Sequence, residues 1–131
     1  MPHIAIEYTS NLEGHLNVQD VVDALHSTAQ QMDIFPQWGI RTFATAVENS
    51  RVAEDVFGGE NGYVHVRVKV AGGRDDATLT KIIDGLHGAL SSSLSTLCSE
   101  RPVGFQLEVF RFDPAITRSG GSIPGSPTQR L

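Results

Sequence analysis

Two stretches of the chain, VVDALHS at 21–27 and IIDGLHG at 82–88, lie 61 residues apart, with Asp23, Leu25 and His26 matched by Asp84, Leu86 and His87. An internal repeat constrains the fold strongly, because each copy must build the same unit and neither can bury its apolar face alone. The first copy lies in a helical pattern opened by Asn17-Val-Gln-Asp20, with Val18, Val21, Val22, Leu25, Ala29 and Met32 at helical spacing. Before it, residues 3–8 are β-forming; after it come the Pro- and Gly-punctuated connector IFPQWG and the β-branched run IRTFATAV. The second copy repeats the order. YVHVRVKV alternates Val64, Val66, Val68 and Val70 with His65, Arg67 and Lys69, Asp75 or Asp76 can cap a helix, and VGFQLEVF supplies a fourth strand. Leu79, Ile82, Ile83, Leu86, Leu90, Leu94 and Leu97 are expected to form the apolar stripe of the second helix. The first strand aligns best at an offset of 62, with Ile4, Ile6 and Tyr8 over Val66, Val68 and Val70.

Two β-α-β units side by side predict an α+β fold, a four-stranded sheet with both helices on one face. The other face is then uncovered and, unless polar throughout, must pack against another copy in a closed oligomer. The 131 residues, 40% hydrophobic and 19% charged, fit one domain over 1–112. Residues 113–131, dominated by Gly, Ser, Pro and Thr, are expected to be a tail that is disordered or lies across a neighbour. The polar stretch ENSRVAEDVFGGENG reads as the loop joining the units. A formal charge of −5 argues against a general nucleic-acid role, which needs a basic face. The single cysteine, Cys98, excludes an intramolecular disulfide framework and suits a reducing cytoplasm. With no 18-residue apolar segment and no basic leader, the chain reads as soluble, cytoplasmic and unattached to membranes.

Within the duplicated frame, chemistry is sought in what the halves do not share. Pro2 maps to Val64, so only the first half can offer an N-terminal secondary amine, provided Met1 is removed. An α-amino group titrates near 7.7–8.0, close to where a general base works best. Only the second half has an arginine in its strand-to-helix loop, Gly72-Gly73-Arg74, where the first reads Asn11-Leu12-Glu13. Arg41 on the first return strand faces Pro102 or Val103 in the second half's alignment. One amine and two arginines, each present once, suit an anion-binding site, although most arginines are solvated surface charges. Phe35 and Trp38 flank the connector before Arg41 and fit a pocket wall or the core equally well. His3, His15, His26, His65 and His87 lack metal-ligand spacing, and His26 and His87 suit a structural role in the helices. Gly72-Gly73 lacks the full phosphate-loop pattern, and Cys98 reads as a buried thiol.

Pro2 at the start of a β-α-β unit, Arg41 in GIRTF, and Gly73-Arg74 before an acidic helix opening resemble the tautomerase superfamily, whose short members are similar to 4-oxalocrotonate tautomerase. PHIAIE, IFPQWGIR and YVHVRVKVAGGRD most resemble the 5-carboxymethyl-2-hydroxymuconate isomerase family, of bacterial homoprotocatechuate degradation, over roughly residues 2–112. The resemblance implies a homotrimer that isomerises a 2-hydroxymuconate-type dienol dicarboxylate to its 2-oxo form. In that reading Pro2 is the general base and acid, Arg41 and Arg74 bind carboxylates and steady charge, Phe35 and Trp38 line the pocket, and neither metal nor organic cofactor is required. Two other readings stand beside it: a different Pro-dependent tautomerase or dehalogenase acting on a small unsaturated or aryl 2-oxo acid, and a non-catalytic trimeric binding or assembly protein.

Overall fold

Val64, Val66, Val68 and Val70 are fully buried, and this even-numbered apolar row forms the centre of the sheet. The structure, a computed structural model, describes residues 2–53 and 60–126. Met1, part of the inter-unit loop and the last five residues of the tail lie outside the described residues. The strands are β1 (Pro2–Thr9), β2 (Arg41–Val47), β3 (Gly62–Ala71) and β4 (Val103–Phe112), and the helices are α1 (Val18–Gln31) and α2 (Asp76–Glu100). Short 3-10 turns occupy Ser10–Leu12, Gln37–Gly39 and Pro114–Ile116.

The sheet order is β2-β1-β3-β4. Within each unit the two strands are parallel and joined through a helix, while β1 and β3 meet antiparallel at the centre. This is the expected duplicated α+β fold. Val21, Leu25 and Ala29 of α1 are buried, and so are Ile82, Leu86 and Leu90 of α2, so the helical repeat holds residue for residue. Both helices cover the face carrying Ile4, Ile6 and the four valines. Ile83 is 37% exposed, which takes it off the expected stripe: it sits beside Ile82, a rotation of about 100° around the helix.

The register moves one sequence expectation. His3 pairs with Arg41, and its counterpart at an offset of 62, His65, pairs with Gln106. Arg41 therefore corresponds to Gln106 rather than to Pro102 or Val103. The reason lies in the crossovers. α1 has 14 residues and is followed by the Pro-containing connector, whereas α2 runs for 25 and turns almost directly into β4. Close packing where the units join requires a glycine, since a Cβ at Gly62 would lie 2.5 Å from Leu12 Cδ2.

Strand alternation puts three rows of side chains on the face without helices. Arg41, His3, Lys69 and Phe110 form the row at the Pro2 end; Phe43, Ala5, Arg67 and Glu108 come next, then Thr45, Glu7, His65 and Gln106. This face is not polar throughout, for Phe43 is 57% and Phe110 38% exposed. After β4 the chain folds back on itself: a Cβ at Gly125 would lie 3.8 Å from Trp38 Cβ.

Candidate active site

The Pro2 end of the sheet collects the start of β1, the end of β3 and the connector into β2. Pro2 is buried and pairs with Val70. By alternation its ring shares the helix face with Ile4 and Ile6. Arg74 lies just beyond β3, where Gly73 adopts φ +91°, a left-handed conformation that favours glycine and turns the chain into α2. Asp75 then caps α2, accepting the Thr78 N–H at 2.8 Å. Hydrogen bonds from Thr78, side chain before backbone, hold the Asp75 carboxyl below its ordinary pKa.

Arg74 and Phe35 come together as one unit. The guanidinium carbon stands 5.0 Å from the centroid of the Phe35 ring, and Nη2 donates to the Ile34 carbonyl at 3.4 Å. Phe35 is itself 5% exposed, so the cation rests on a packed aromatic platform. The Nε of Arg74 is buried and has no hydrogen-bond partner among the described residues. Trp38 is half-buried in the Gln37–Gly39 turn, next to the returning tail.

Arg41 is placed differently. It opens β2 and faces away from the helices with His3 and Phe43, so within one chain it lies on the sheet face opposite the Pro2 ring. Its Nε donates to His3 Nδ1 at 3.0 Å, and the His3 ring meets Phe43 edge-on, with centroids 5.2 Å apart. Burial first, then the charges of Arg41 and Lys69, keep the His3 pKa below its ordinary value. The structure thus brings Arg74 together with Phe35, and Arg41 with His3, as two separate pairs at the Pro2 end of the sheet, the second on the face opposite the Pro2 ring.

Sequence reasoning assigned no role to His3. Its signal was available in the position beside Pro2 and in the parallel pairing of a β-α-β unit, but pairing register is invisible within a strand. Of the repeated histidines, half-buried His26 has Nδ1 3.0 Å from Thr42 Oγ1, while His87 is exposed, with its ring 5.6 Å from that of Phe105. Cys98 is half-buried, with Sγ 3.7 Å from the Val103 carbonyl. A groove lined by His15, Asn17, Asp20, Ser93 and Glu100 opens at the opposite end of the helices, away from these arginines. Among the described residues, no three His, Cys, Asp or Glu side chains are grouped to hold a metal. No helix is long and apolar enough to cross a membrane.

Comparison with known proteins agrees with this architecture. The family model for 5-carboxymethyl-2-hydroxymuconate isomerase matches residues 2–124, past residue 112 where the sequence resemblance stops. A 5-carboxymethyl-2-hydroxymuconate isomerase from Deinococcus radiodurans superposes with a TM-score of 0.85 at 25% identity, covering 93% of this chain and 90% of the other. A 5-carboxymethyl-2-hydroxymuconate delta-isomerase gives 0.79 at 21% identity, covering 93% and 89%. A fused 4-OT symmetric trimer gives 0.65 at 14% identity, covering 88% and 91%. Among curated proteins, none matches the chain.

Proposed function

The chain belongs to the 5-carboxymethyl-2-hydroxymuconate isomerase family and is an isomerase of the tautomerase superfamily; from this premise we propose that it converts a dienol of the 2-hydroxymuconate type, whether the dicarboxylate itself or, foremost, its 5-carboxymethyl derivative, to the 2-oxo isomer. The named substrate carries a third carboxylate, on its 5-carboxymethyl group, beyond the two of the muconate frame. Pro2, freed of Met1, is the single acid and base. Its nitrogen takes the proton of the 2-hydroxyl, breaking the O–H bond. The electron pair spreads through the conjugated chain, and the same nitrogen returns the proton to carbon, forming a C–H bond. One group that accepts and then donates suffices because substrate and product differ only in where that proton sits.

The observation that carries this reading is the buried Arg74 Nε, without a partner among the described residues, in a guanidinium stacked on Phe35 at the Pro2 end. Buried donors are ordinarily satisfied, and a guanidinium fork matches a carboxylate. Arg74 therefore binds a substrate carboxylate, and its charge stabilises the dienolate while disfavouring a protonated amine. Phe35 and Trp38 form the apolar wall. Arg41, on the other sheet face, contributes where an assembled neighbour covers that face, and the assembly is a trimer. The exposed Phe43 and the symmetric trimer formed by a protein of the same fold support that assembly. The lone cysteine suits a cytoplasmic setting.

Intact mass tests the amine and a substrate panel tests the reaction. The purified chain should lack Met1, and ultraviolet absorbance should show turnover of hydroxymuconates ahead of aryl enol pyruvates or halogenated acrylates. Pro2→Ala should keep the fold and lose at least about 100-fold in kcat/KM, as expected for removal of a general acid–base. Retained Met1 in an active preparation would overturn the role of Pro2, and preference for a halogenated acid would overturn the substrate class.

A further inference from the structure

We propose that His3 is a positioning residue for Arg41: its neutral imidazole accepts the Arg41 Nε–H at Nδ1 and holds the guanidinium at the Pro2 end of the open sheet face. The inference rests on the role given to Arg41 above. The hydrogen bond carries it, because arginine is a donor only. At 3.0 Å from Arg41 Nε, Nδ1 of His3 must present a lone pair, so the ring proton sits on Nε2. An imidazolium has no acceptor, so protonating His3 breaks the contact.

The surroundings preserve the accepting form. From β2, Arg41 faces the ring as a cation and Phe43 packs against its edge; from β3, Lys69 is its cross-strand partner. Within β1 the adjacent titratable group is the proposed Pro2 amine. Among the described residues, the carboxylates on this face lie in other rows: Glu108 contacts His65 and Arg67, and Glu7 approaches His65 at 3.6 Å. Partial burial, then the cations on both sides, hold the His3 pKa below its ordinary value, which favours the neutral, accepting ring. The neutral ring accepts from one guanidinium edge and so restricts the directions in which Arg41 can present its fork.

Three substitutions separate positioning from packing. His3→Asn keeps an acceptor the same number of bonds from Cα as Nδ1 but cannot titrate. His3→Phe keeps a ring against Phe43 but removes the acceptor, and His3→Ala removes both. With 2-hydroxymuconate as substrate, kcat/KM should fall on the order of 10-fold or more in His3→Phe and His3→Ala. His3→Asn should recover most of that loss at neutral pH and show a shallower acidic limb than wild type. The His3→Phe/Arg41→Ala double variant should be no slower than Arg41→Ala alone. Nitrogen NMR of the wild-type ring should report the Nε2–H tautomer. His3→Phe at wild-type turnover, in an enzyme that Arg41→Ala impairs, would overturn the inference while leaving the role of Arg41 intact; an Nδ1–H tautomer would overturn it too. Wild-type turnover in Arg41→Ala would instead remove the role of Arg41, and this inference with it.

Discussion

Arg74 combines three features that solvated surface arginines lack: an aromatic platform, one backbone acceptor and a buried Nε with no partner among the described residues. Its planar, delocalised charge allows stacking on Phe35 while the fork remains aimed, which a lysine ammonium cannot reproduce. Arg74→Lys, although it conserves charge, should therefore lower kcat/KM about 100-fold, the scale of losing one transition-state donor. Arg74→Ala should do the same and also move the acidic limb of the kcat/KM profile upward, since a cation that disfavoured the protonated amine is gone. Equal acidic limbs in wild type and Arg74→Ala would place Arg74 away from the base. His3 makes a second pH-dependent prediction, this time for stability. Its native pKa lies below the unfolded value of about 6.5, so between the two the unfolded state binds more protons. The contribution is complete above about pH 6.5 and is lost as pH falls toward the native pKa. Thermal melts from pH 5 to 8 should show this as a difference between wild type and His3→Asn, and a constant difference across the range would contradict it.

The elements carry these residues, and their connections decide where the residues end up. Gly73, at φ +91°, sets the direction in which β3 hands over to α2, and Arg74 leaves from that turn just before the Asp75 cap. Gly73→Ala meets no neighbouring atom within 4 Å, so its cost is conformational, about 1–2 kcal/mol for an L residue in the left-handed region. Activity should fall more than that stability loss alone explains, because relief of the strain rotates Arg74 off Phe35. A melting shift with unchanged kcat/KM would show that the turn does not position Arg74. Much of this level was legible in the sequence. The helical repeat, the Val64–Val70 alternation, the opening of α1 at Asn17 and a cap for α2 at Asp75 or Asp76, which the structure gives to Asp75, are local patterns, and local patterns specify elements. The match of Arg41 to Gln106, and the bond from Arg41 to His3, were not legible. Both depend on pairing register, which follows from the unequal lengths of the α1 and α2 crossovers rather than from any residue within a strand. The stacking of Arg74 on Phe35 was hidden for a related reason, since it joins two loops 39 positions apart in the chain.

At the scale of the molecule, the duplication leaves one sheet face without helices and divides it by charge. The row at the Pro2 end holds Arg41, His3 and Lys69, while Glu7 lies farther along among Thr45, His65 and Gln106. Between them stands Phe43, 57% exposed, on an edge strand. An aromatic ring left that open on a sheet face is best buried against another chain, which is also what would bring Arg41 into a closed environment. Phe43 is therefore the place to break the assembly without touching the core, since its side chain points away from both helices. Phe43→Glu would place a carboxylate in the proposed contact, where an unpaired buried charge is strongly unfavourable, yet leave the isolated chain able to fold. Sedimentation velocity should show wild type at three times the 14.1 kDa chain mass and Phe43→Glu at the mass of one chain, with helical content by circular dichroism unchanged. If Arg41 acts only in the assembled state, the same variant should approach the turnover of Arg41→Ala. A wild-type protein sedimenting at 14.1 kDa at micromolar concentration would overturn the trimer, and a monomeric Phe43→Glu with full activity would show that each chain is catalytically complete alone.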